Sequence, residues 1–191
     1  MIFKCGKYKL EMGKKTYIMG ILNVTPDSFS DGGKYDNLES AVKRAREMVL
    51  EGADMIDVGG ESTRPGFEAV DAEIEMNRVI PVVERLVKEL DVPVSVDTSK
   101  SSVAEKALQA GAHIINDIWG LQKDPLMAEV VAKYGAGVIV MHNKDEKVYQ
   151  DLMGDILKFL GRSVEIAEKA GINRSNIVID PGIGFGKTHE H

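Results

Sequence analysis

The chain has 191 residues, of which 43% are hydrophobic and 28% charged, and this composition suits one globular domain over residues 1–191. A net charge of −6 argues against nucleic acid as a partner. We find neither a secretory signal nor an apolar run of about 18 residues, so we expect a cytoplasmic protein without a membrane partner. The single cysteine, Cys5, excludes an intrachain disulfide and is expected to be a small buried residue.

The predicted elements begin with a hairpin over residues 2–11 and continue as six strands that alternate with five helices. The strands are expected at 16–22, 55–58, 92–97, 112–116, 137–141 and 177–180. The helices are expected at 38–51, 71–90, 101–110 and 125–133, with a long fifth helix that ends near Gly171. Pro81 lies inside the second helix and should kink or divide it. Glycines stand where four of the helices should stop, at Gly52, Gly111, Gly135 and Gly171.

The strands have continuous apolar sequences, which is typical of a parallel sheet covered on its outer face. Five of them carry a polar residue at or next to the C-terminal end: Asp57, Asp97, Asn116, His142 and Asp180. Because these ends converge on one site in a (β/α) barrel, the pattern indicates an enzyme. The predicted class is therefore α/β. Its architecture is either an open sheet or a (β/α)8 barrel of the TIM type, with about six of the eight βα units in this sequence.

Two polar, glycine-rich loops are predicted directly after the first two central strands, over residues 23–33 and 59–66. Loops of this composition at the C-terminal face of a barrel commonly bind phosphate or cover the site. Glycine-rich loops alone are weak evidence. Two of them on consecutive strands, both facing the same side, favour a substrate site there.

Five segments of the sequence resemble the dihydropteroate synthases, which are pterin-binding barrel enzymes that join a pterin to p-aminobenzoate. The segments occur in the family's order and are GILNVTPDSFSDGG (20–33), DVGGESTRPG (57–66), VSVDTSK (94–100), INDI (115–118) and DPGIGFGK (180–187). Members of the family continue through two further βα units. The resemblance therefore implies a single pterin-binding barrel domain over 1–191 that is incomplete at its C-terminus, and a homodimer for full-length members.

The resemblance implies that Asp97, Asn116 and Asp180 bind the pterin. Met141 and Trp119, which lie near the ends of their strands, are also expected near the pterin, with packing in the core as the alternative. The chemistry agrees, because a carboxylate can accept two N–H donors of a pterin edge at once and an amide can both donate and accept. For Asp97 the sequence leaves another interpretation open, since Thr98-Ser99-Lys100 leads into a helix that Asp97 could cap.

A magnesium ion bound to the pyrophosphate of the substrate is also implied, with Asn23 as its protein ligand. One protein oxygen suffices for Mg²⁺ when substrate phosphates supply others. The alternative for Asn23 is a turn-forming role before Pro26.

The remaining implied residues lie in the loops. Asp31, Thr63 and Arg64 are assigned to the catalytic, substrate-covering loops, although Arg64 could equally be a solvated charge. Pro65 and Phe185 are expected to line the p-aminobenzoate site.

The implied enzyme is a transferase of folate biosynthesis whose substrates are dihydropterin pyrophosphate and p-aminobenzoate. Two alternatives remain open at this point. One is a pterin-binding methyltransferase domain, against which the two long loops argue. The other is a pterin-binding fragment that retains Asp97, Asn116 and Asp180 but cannot complete catalysis.

Overall fold

The computed structural model describes residues 1–25, 34–61 and 70–191, and within these ranges it contains eight strands and five α-helices. An antiparallel hairpin comes first, formed by β1 (Ile2–Cys5) and β2 (Tyr8–Glu11). The central strands are β3 (Met19–Asn23), β4 (Met55–Gly59), β5 (Val94–Asp97), β6 (Ile114–Asp117), β7 (Gly137–Met141) and β8 (Ile177–Asp180). The helices are α1 (Lys34–Leu50), α2 (Ala72–Glu89), α3 (Ser101–Gln109), α4 (Met127–Tyr134) and α5 (Leu152–Lys169). None of the helices in these ranges could cross a membrane.

The six central strands form one parallel sheet in the order β3-β4-β5-β6-β7-β8, so each strand pairs with the next along the chain. This order confirms the predicted α/β class and the hairpin that precedes it. A sheet wound in one direction with a helix after each of the first five strands is the wall of a (β/α) barrel. It also brings all the C-terminal strand ends to one edge.

Four helices end in the same way, and this explains why β6 begins later than predicted. Gly111 adopts a φ of 103°, and the N–H of Ala112 then bonds to the carbonyl of Ala107 at 3.0 Å. The left-handed glycine and this returning bond are the marks of a Schellman-type helix end. Ala112 therefore belongs to the end of α3, and β6 begins only at Ile114. The same bond is made by Ala53, Ala136 and Ile172.

Pro81 is predicted from the sequence to kink or divide the second helix. It does not divide the helix, because α2 runs unbroken through it. A proline removes one backbone donor, and the carbonyl four residues earlier loses its partner. Pro81 and Asn77 both lie on the exposed side of α2, where water can reach that carbonyl. The cost of the proline is thereby reduced, and the buried side of the helix continues undisturbed.

The two faces of the sheet differ in chemistry. The outer face, which the helices cover, carries a row of paired apolar residues that are all buried: Leu22, Val58, Val96, Ile115 and Val138. The inner face carries an apolar cluster near the N-terminal ends of the strands, where the β1–β2 hairpin closes it. There Phe3 and Cys5 approach Gly137 so closely that a Cβ at Gly137 would lie 2.8 and 2.9 Å from them. Cys5 is fully buried, as predicted.

Candidate functional site

The pairing register places the predicted ligands on the inner face, above the hairpin. Asn23 pairs with Gly59, Gly59 with Asp97, and Asp97 with Asn116, so these residues form one row across four strands. Paired residues of neighbouring strands point to the same face of a sheet. The row continues with Ile139 on β7 and Val178 on β8. Met141 and Asp180 form a pair two positions farther along the same two strands, so they point to the same face. The structure thus brings together Asn23, Asp97, Asn116, Met141 and Asp180.

Asp97 is the most perturbed carboxyl of this row. Burial raises its pKa well above the usual range, and the nearby carboxyls of Asp57 and Glu75 raise it further. The helix-capping alternative for Asp97 is wrong, because α3 begins at Ser101 and the N–H of Ser101 donates to Asp124 at 2.8 Å. Asp97 is therefore held half-buried in an acidic environment that the local helix does not require.

The side chain of Asn116 is held by the carboxylate of Asp57, which lies deeper on the inner face. Its Nδ2 donates to Oδ2 of Asp57 at 2.9 Å. Asp57 is 4% exposed, and burial raises its pKa, while the Ser95 hydroxyl and the bond from Asn116 offset part of that rise. The neighbouring Asp117 points to the opposite face, where its carboxylate accepts from the backbone N–H groups of Trp119 and Leu121 at 2.9 and 2.8 Å. Asp117 therefore shapes the loop after β6 and belongs to no ligand surface.

Asp180 is the last residue of β8, and the loop that follows it, residues 181–187, is here called the β8 loop. Its Oδ1 accepts from the N–H of Gly182 at 2.7 Å, and its backbone carbonyl accepts from the N–H of His142 at 2.9 Å. Phe185 is half-buried in this loop, and its N–H donates to the carbonyl of Gly182 at 3.0 Å. The carboxyl and the aromatic ring assigned to the two substrates are thus carried by one hydrogen-bonded turn.

The buried Lys187 fastens the end of the β8 loop. Its Nζ donates to the carbonyls of Gly182 and Phe185 and lies 2.9 Å from Nδ1 of His142. Burial lowers the pKa of Lys187, and Asp180 offsets part of this effect. His142 itself packs edge-on against Phe159 of α5, with ring centroids 5.0 Å apart. His142 is therefore a structural residue that accepts from Lys187.

This contact predicts a pH dependence of stability. Burial lowers the pKa of His142, and the Lys187 ammonium lowers it further. When the folded pKa is below the unfolded value, the unfolded chain takes up protons first, and stability falls as the pH drops below about 6.5. We expect the free energy of unfolding of the wild type, relative to His142→Gln, to decrease between pH 7 and pH 5. Urea titrations at each pH measure this difference.

His113→Gln is the matched control for that titration. His113 also has a lowered pKa, caused by burial and by Lys7. It lies just before β6, at the N-terminal edge of the sheet and away from His142, and its Nδ1 accepts from the N–H of Val94 at 3.1 Å. Its substitution should remove a separate part of the pH dependence and leave the effect of His142→Gln unchanged. A wild type and a His142→Gln variant with parallel pH profiles would contradict the predicted role of His142.

An ion-pair network centred on Lys100 lies beside the site. Lys100 donates to the carboxylates of Glu61, which follows β4, and of Glu75 on α2. Glu75 is 1% exposed. Burial lowers the pKa of Lys100, but its bonds to Glu61 and Glu75 outweigh burial and hold it above the ordinary value. The network ties the start of the loop after β4 to the helix beneath it.

The donor set at Asn23 fits a magnesium ion held mainly by substrate. Asn23 is exposed at the C-terminal end of β3, beside Gly59, where a Cβ would lie 3.2 Å from its Oδ1. Within the described ranges there is no group of three His, Cys, Asp or Glu side chains that could hold a metal by themselves. A single amide oxygen at the rim suits Mg²⁺ only when phosphate oxygens complete its shell.

Other predicted residues lie outside the described residues or away from the inner face. Asp31, Thr63, Arg64 and Pro65 fall in the parts of the chain that the structure does not describe. Trp119 contributes, with Gln122, His142 and Phe159 among others, to a cavity of about 850 Å³ between the loop after β6 and α5. Asn23, Asp97, Asn116 and Asp180 do not line that cavity.

Sequence reasoning assigned no site role to Asp57 or Lys187. Asp57 stands two residues before Gly59, so strand alternation places it on the same face as Asp97, and that spacing could have indicated its position. The partners of Lys187 depend on the fold of the loop, and sequence spacing gives no such signal.

Three kinds of comparison with known proteins agree. Residues 19–191 match the family described as pterin binding enzyme. The chain is 54% identical over 187 residues to a dihydropteroate synthase of Clostridium beijerinckii, which covers 98% of this chain and 70% of the relative. It is 58% identical over 180 residues to the dihydropteroate synthase of Bacillus subtilis, which covers 94% of this chain and 63% of the relative.

Solved structures give the same result. The dihydropteroate synthase of Clostridium difficile, solved in the presence of pteroic acid, superimposes with a TM-score of 0.92 at 54% identity, over 95% of this chain and 69% of that one. The Xanthomonas albilineans enzyme with 4-aminobenzoic acid gives a TM-score of 0.91 at 44% identity, over 98% and 68%. The chain thus spans about two thirds of the length of these relatives, and the predicted barrel architecture is confirmed. It belongs to the pterin-binding enzymes and, within them, to the dihydropteroate synthase family.

Proposed function

We propose that this chain acts in the dihydropteroate synthase reaction, in which 7,8-dihydropterin-6-ylmethyl diphosphate and p-aminobenzoate give dihydropteroate and pyrophosphate. The observation that carries the proposal is the row of acceptor groups on the inner face, formed by Asp97 and Asn116 with Asp180 at the rim. Family membership supports it, as do relatives whose structures contain pteroic acid or 4-aminobenzoic acid.

Pterin binding follows from the chemistry of this row. A pterin presents several N–H donors along one edge, and carboxylates are the strongest acceptors for them. Asp97 and Asp180 approach such a ring from strands β5 and β8, and Asn116 lies between them on β6. Met141 pairs with Asp180 and is 4% exposed, so it would contribute apolar, polarizable packing beside the ring instead of an open contact surface.

The bond changes assign the residues their roles. The bond between the exocyclic methylene carbon and the pyrophosphate oxygen breaks, and its electron pair leaves with pyrophosphate. Asp97 and Asp180 stabilise the positive charge that develops on the pterin, since fixed negative groups are worth most in a site that excludes water. The arylamine nitrogen then forms the new bond to the methylene carbon and releases a proton. Phe185 is assigned to p-aminobenzoate, as is Pro65 by the family resemblance; the catalytic roles of Asp31, Thr63 and Arg64 rest on that resemblance alone.

Magnesium is part of the proposal. Asn23 would hold the ion together with pyrophosphate oxygens, and the ion when bound supplies positive charge that makes pyrophosphate a better leaving group. We further propose a cytoplasmic protein with one domain over 1–191; the homodimer is the expectation for full-length members of the family.

The test is to incubate the purified chain with both substrates and Mg²⁺ and to measure dihydropteroate and pyrophosphate by mass spectrometry. We expect both products in equal amounts, and neither with Asp97→Asn. A chain that binds dihydropterin pyrophosphate but forms no product would contradict the synthase activity and reduce the proposal to pterin binding. A folded chain that does neither would overturn the proposal entirely.

A further inference from the structure

The hydrogen bond between Asn116 and Asp57 fixes which end of the Asn116 amide can meet a ligand. Nδ2 of Asn116 donates to Oδ2 of Asp57 at 2.9 Å, from a strand that is not adjacent to that of Asp57. An amide has one donor end and one acceptor end. One of the two N–H donors of Nδ2 is engaged by Asp57, and this bond holds the amide with its carbonyl oxygen Oδ1 turned away from Asp57, as an acceptor for a ligand.

Asp57 lies too deep to contact a ligand itself. It pairs with Ser95, two residues before the pairing of Gly59 with Asp97, and it is 4% exposed. Any influence of Asp57 on a ligand must therefore pass through a residue of the row above it. Asn116 is the residue of that row to which it is hydrogen-bonded.

The fold does not account for a carboxyl at this position. Oδ1 of Asp57 and Oγ of Ser95 are buried without a hydrogen-bond partner among the described residues. The flanking positions on the same row are the apolar Ile21 and Ile114. The Ser95 hydroxyl lowers the pKa of Asp57, yet a buried carboxyl with one well-formed hydrogen bond is a poor stabiliser, because so few contacts do not offset the loss of hydration. An apolar residue would serve the fold better.

We propose that Asp57 is a positioning residue, which holds Asn116 with its carbonyl oxygen toward the ligand. Asp97, Asn116 and Asp180 then all present acceptors, and the pocket selects a ring edge rich in N–H donors. This inference rests on the proposed function, since the pterin is the ligand that the pocket selects. Without Asp57, the Asn116 amide can turn and present its donor end, which repels the same edge.

A double-mutant cycle on ligand affinity tests this role. Calorimetry with 6-hydroxymethyl-7,8-dihydropterin compares the wild type, Asp57→Ala, Asn116→Ala and the double variant. We expect Asp57→Ala to weaken binding by about tenfold or more, and to have no further effect once Asn116 is alanine. Asp57→Asn keeps the side-chain volume, should melt at or above the wild-type temperature, and should bind less tightly because its amide can face either way. Ser95→Ala, the control at the same depth, should bind as the wild type does.

A measurement without ligand separates this inference from the proposed function. The side-chain ¹⁵NH₂ signal of Asn116, assigned by its loss in Asn116→Ala, should exchange slowly with water in the wild type and in Ser95→Ala, and quickly in Asp57→Ala. An equal loss of affinity in both backgrounds, or an amide signal indifferent to Asp57, would overturn the positioning role. A wild type that binds no pterin would contradict the proposed function, and the amide signal alone would then decide whether Asp57 positions Asn116.

Discussion

Replacing Gly182 by alanine is expected to destabilise the protein by at least about 3 kcal/mol and to abolish pterin binding. Gly182 has a φ of 71°, and a Cβ there would lie 2.1 Å from the carbonyl oxygen of His142. The left-handed backbone alone costs a non-glycine residue about 1–2 kcal/mol, and the clash with a backbone atom adds to it. The β8 loop must then move, and with it the N–H that donates to Asp180. Urea unfolding and pterin calorimetry measure the two effects.

Gly184→Ala is the control for this substitution. Gly184 lies in the same loop with a φ of 87°, but a Cβ there would meet nothing within 4 Å. It carries the same backbone strain without the clash, so its loss of stability should stay near about 1–2 kcal/mol and pterin should still bind. If the two variants behave alike, the close approach of the β8 loop to His142 is not what holds Asp180 in place.

Asp97→Asn should weaken the binding of dihydropterin by about 10- to 100-fold while making the free protein more stable at neutral pH. The affinity falls because a charge-assisted hydrogen bond is replaced by a neutral one. The stability rises because burial and the nearby carboxyls raise the pKa of Asp97 in the folded state. The unfolded chain then ionises first as the pH rises above about 4, so the wild type loses stability that the variant keeps. Calorimetry and urea titrations at several pH values measure both changes.

The gain in stability should therefore shrink as the pH falls and disappear below about pH 3, where Asp97 is protonated in both states. Asp91→Asn provides the comparison, since Asp91 is an exposed carboxyl outside the inner face. It should leave the affinity for dihydropterin unchanged. An Asp97→Asn variant that is less stable than the wild type at pH 7 would show that the carboxylate serves the fold instead of the ligand.

Much of the fold could be predicted from the sequence because its signals are local. The apolar runs before Asp97 and Asn116 mark buried parallel strands, and Gly111 followed by Ala112 marks the end of a helix and the turn into the next strand. Pro81 misled for a physical reason, since the penalty of a helical proline depends on which side of the helix it faces. That side is decided by packing against the rest of the protein.

The site was predictable where strand alternation decides it. Asp97, Asn116 and Asp180 close their strands or nearly do, and the register brings them to one face. The roles of Asp57 and Lys187 depend on contacts between distant parts of the chain, such as the bond from Asn116 to Asp57. His142 ends an apolar run like the ligands do, yet it is buried against Phe159 and Lys187. Sequence spacing cannot separate these cases, because they depend on which neighbours the fold supplies.

The most direct test of the central claim is the binding of dihydropterin pyrophosphate to the wild type and to Asp180→Asn, measured by calorimetry with and without Mg²⁺. In the variant, the side-chain oxygen can still accept from Gly182 N–H, so the β8 loop should keep its shape while the charge is lost. We predict binding to the wild type that is strengthened by Mg²⁺, and a loss of about tenfold or more in Asp180→Asn. Equal binding by both chains, or none by a folded wild type, would contradict a pterin site on the inner face.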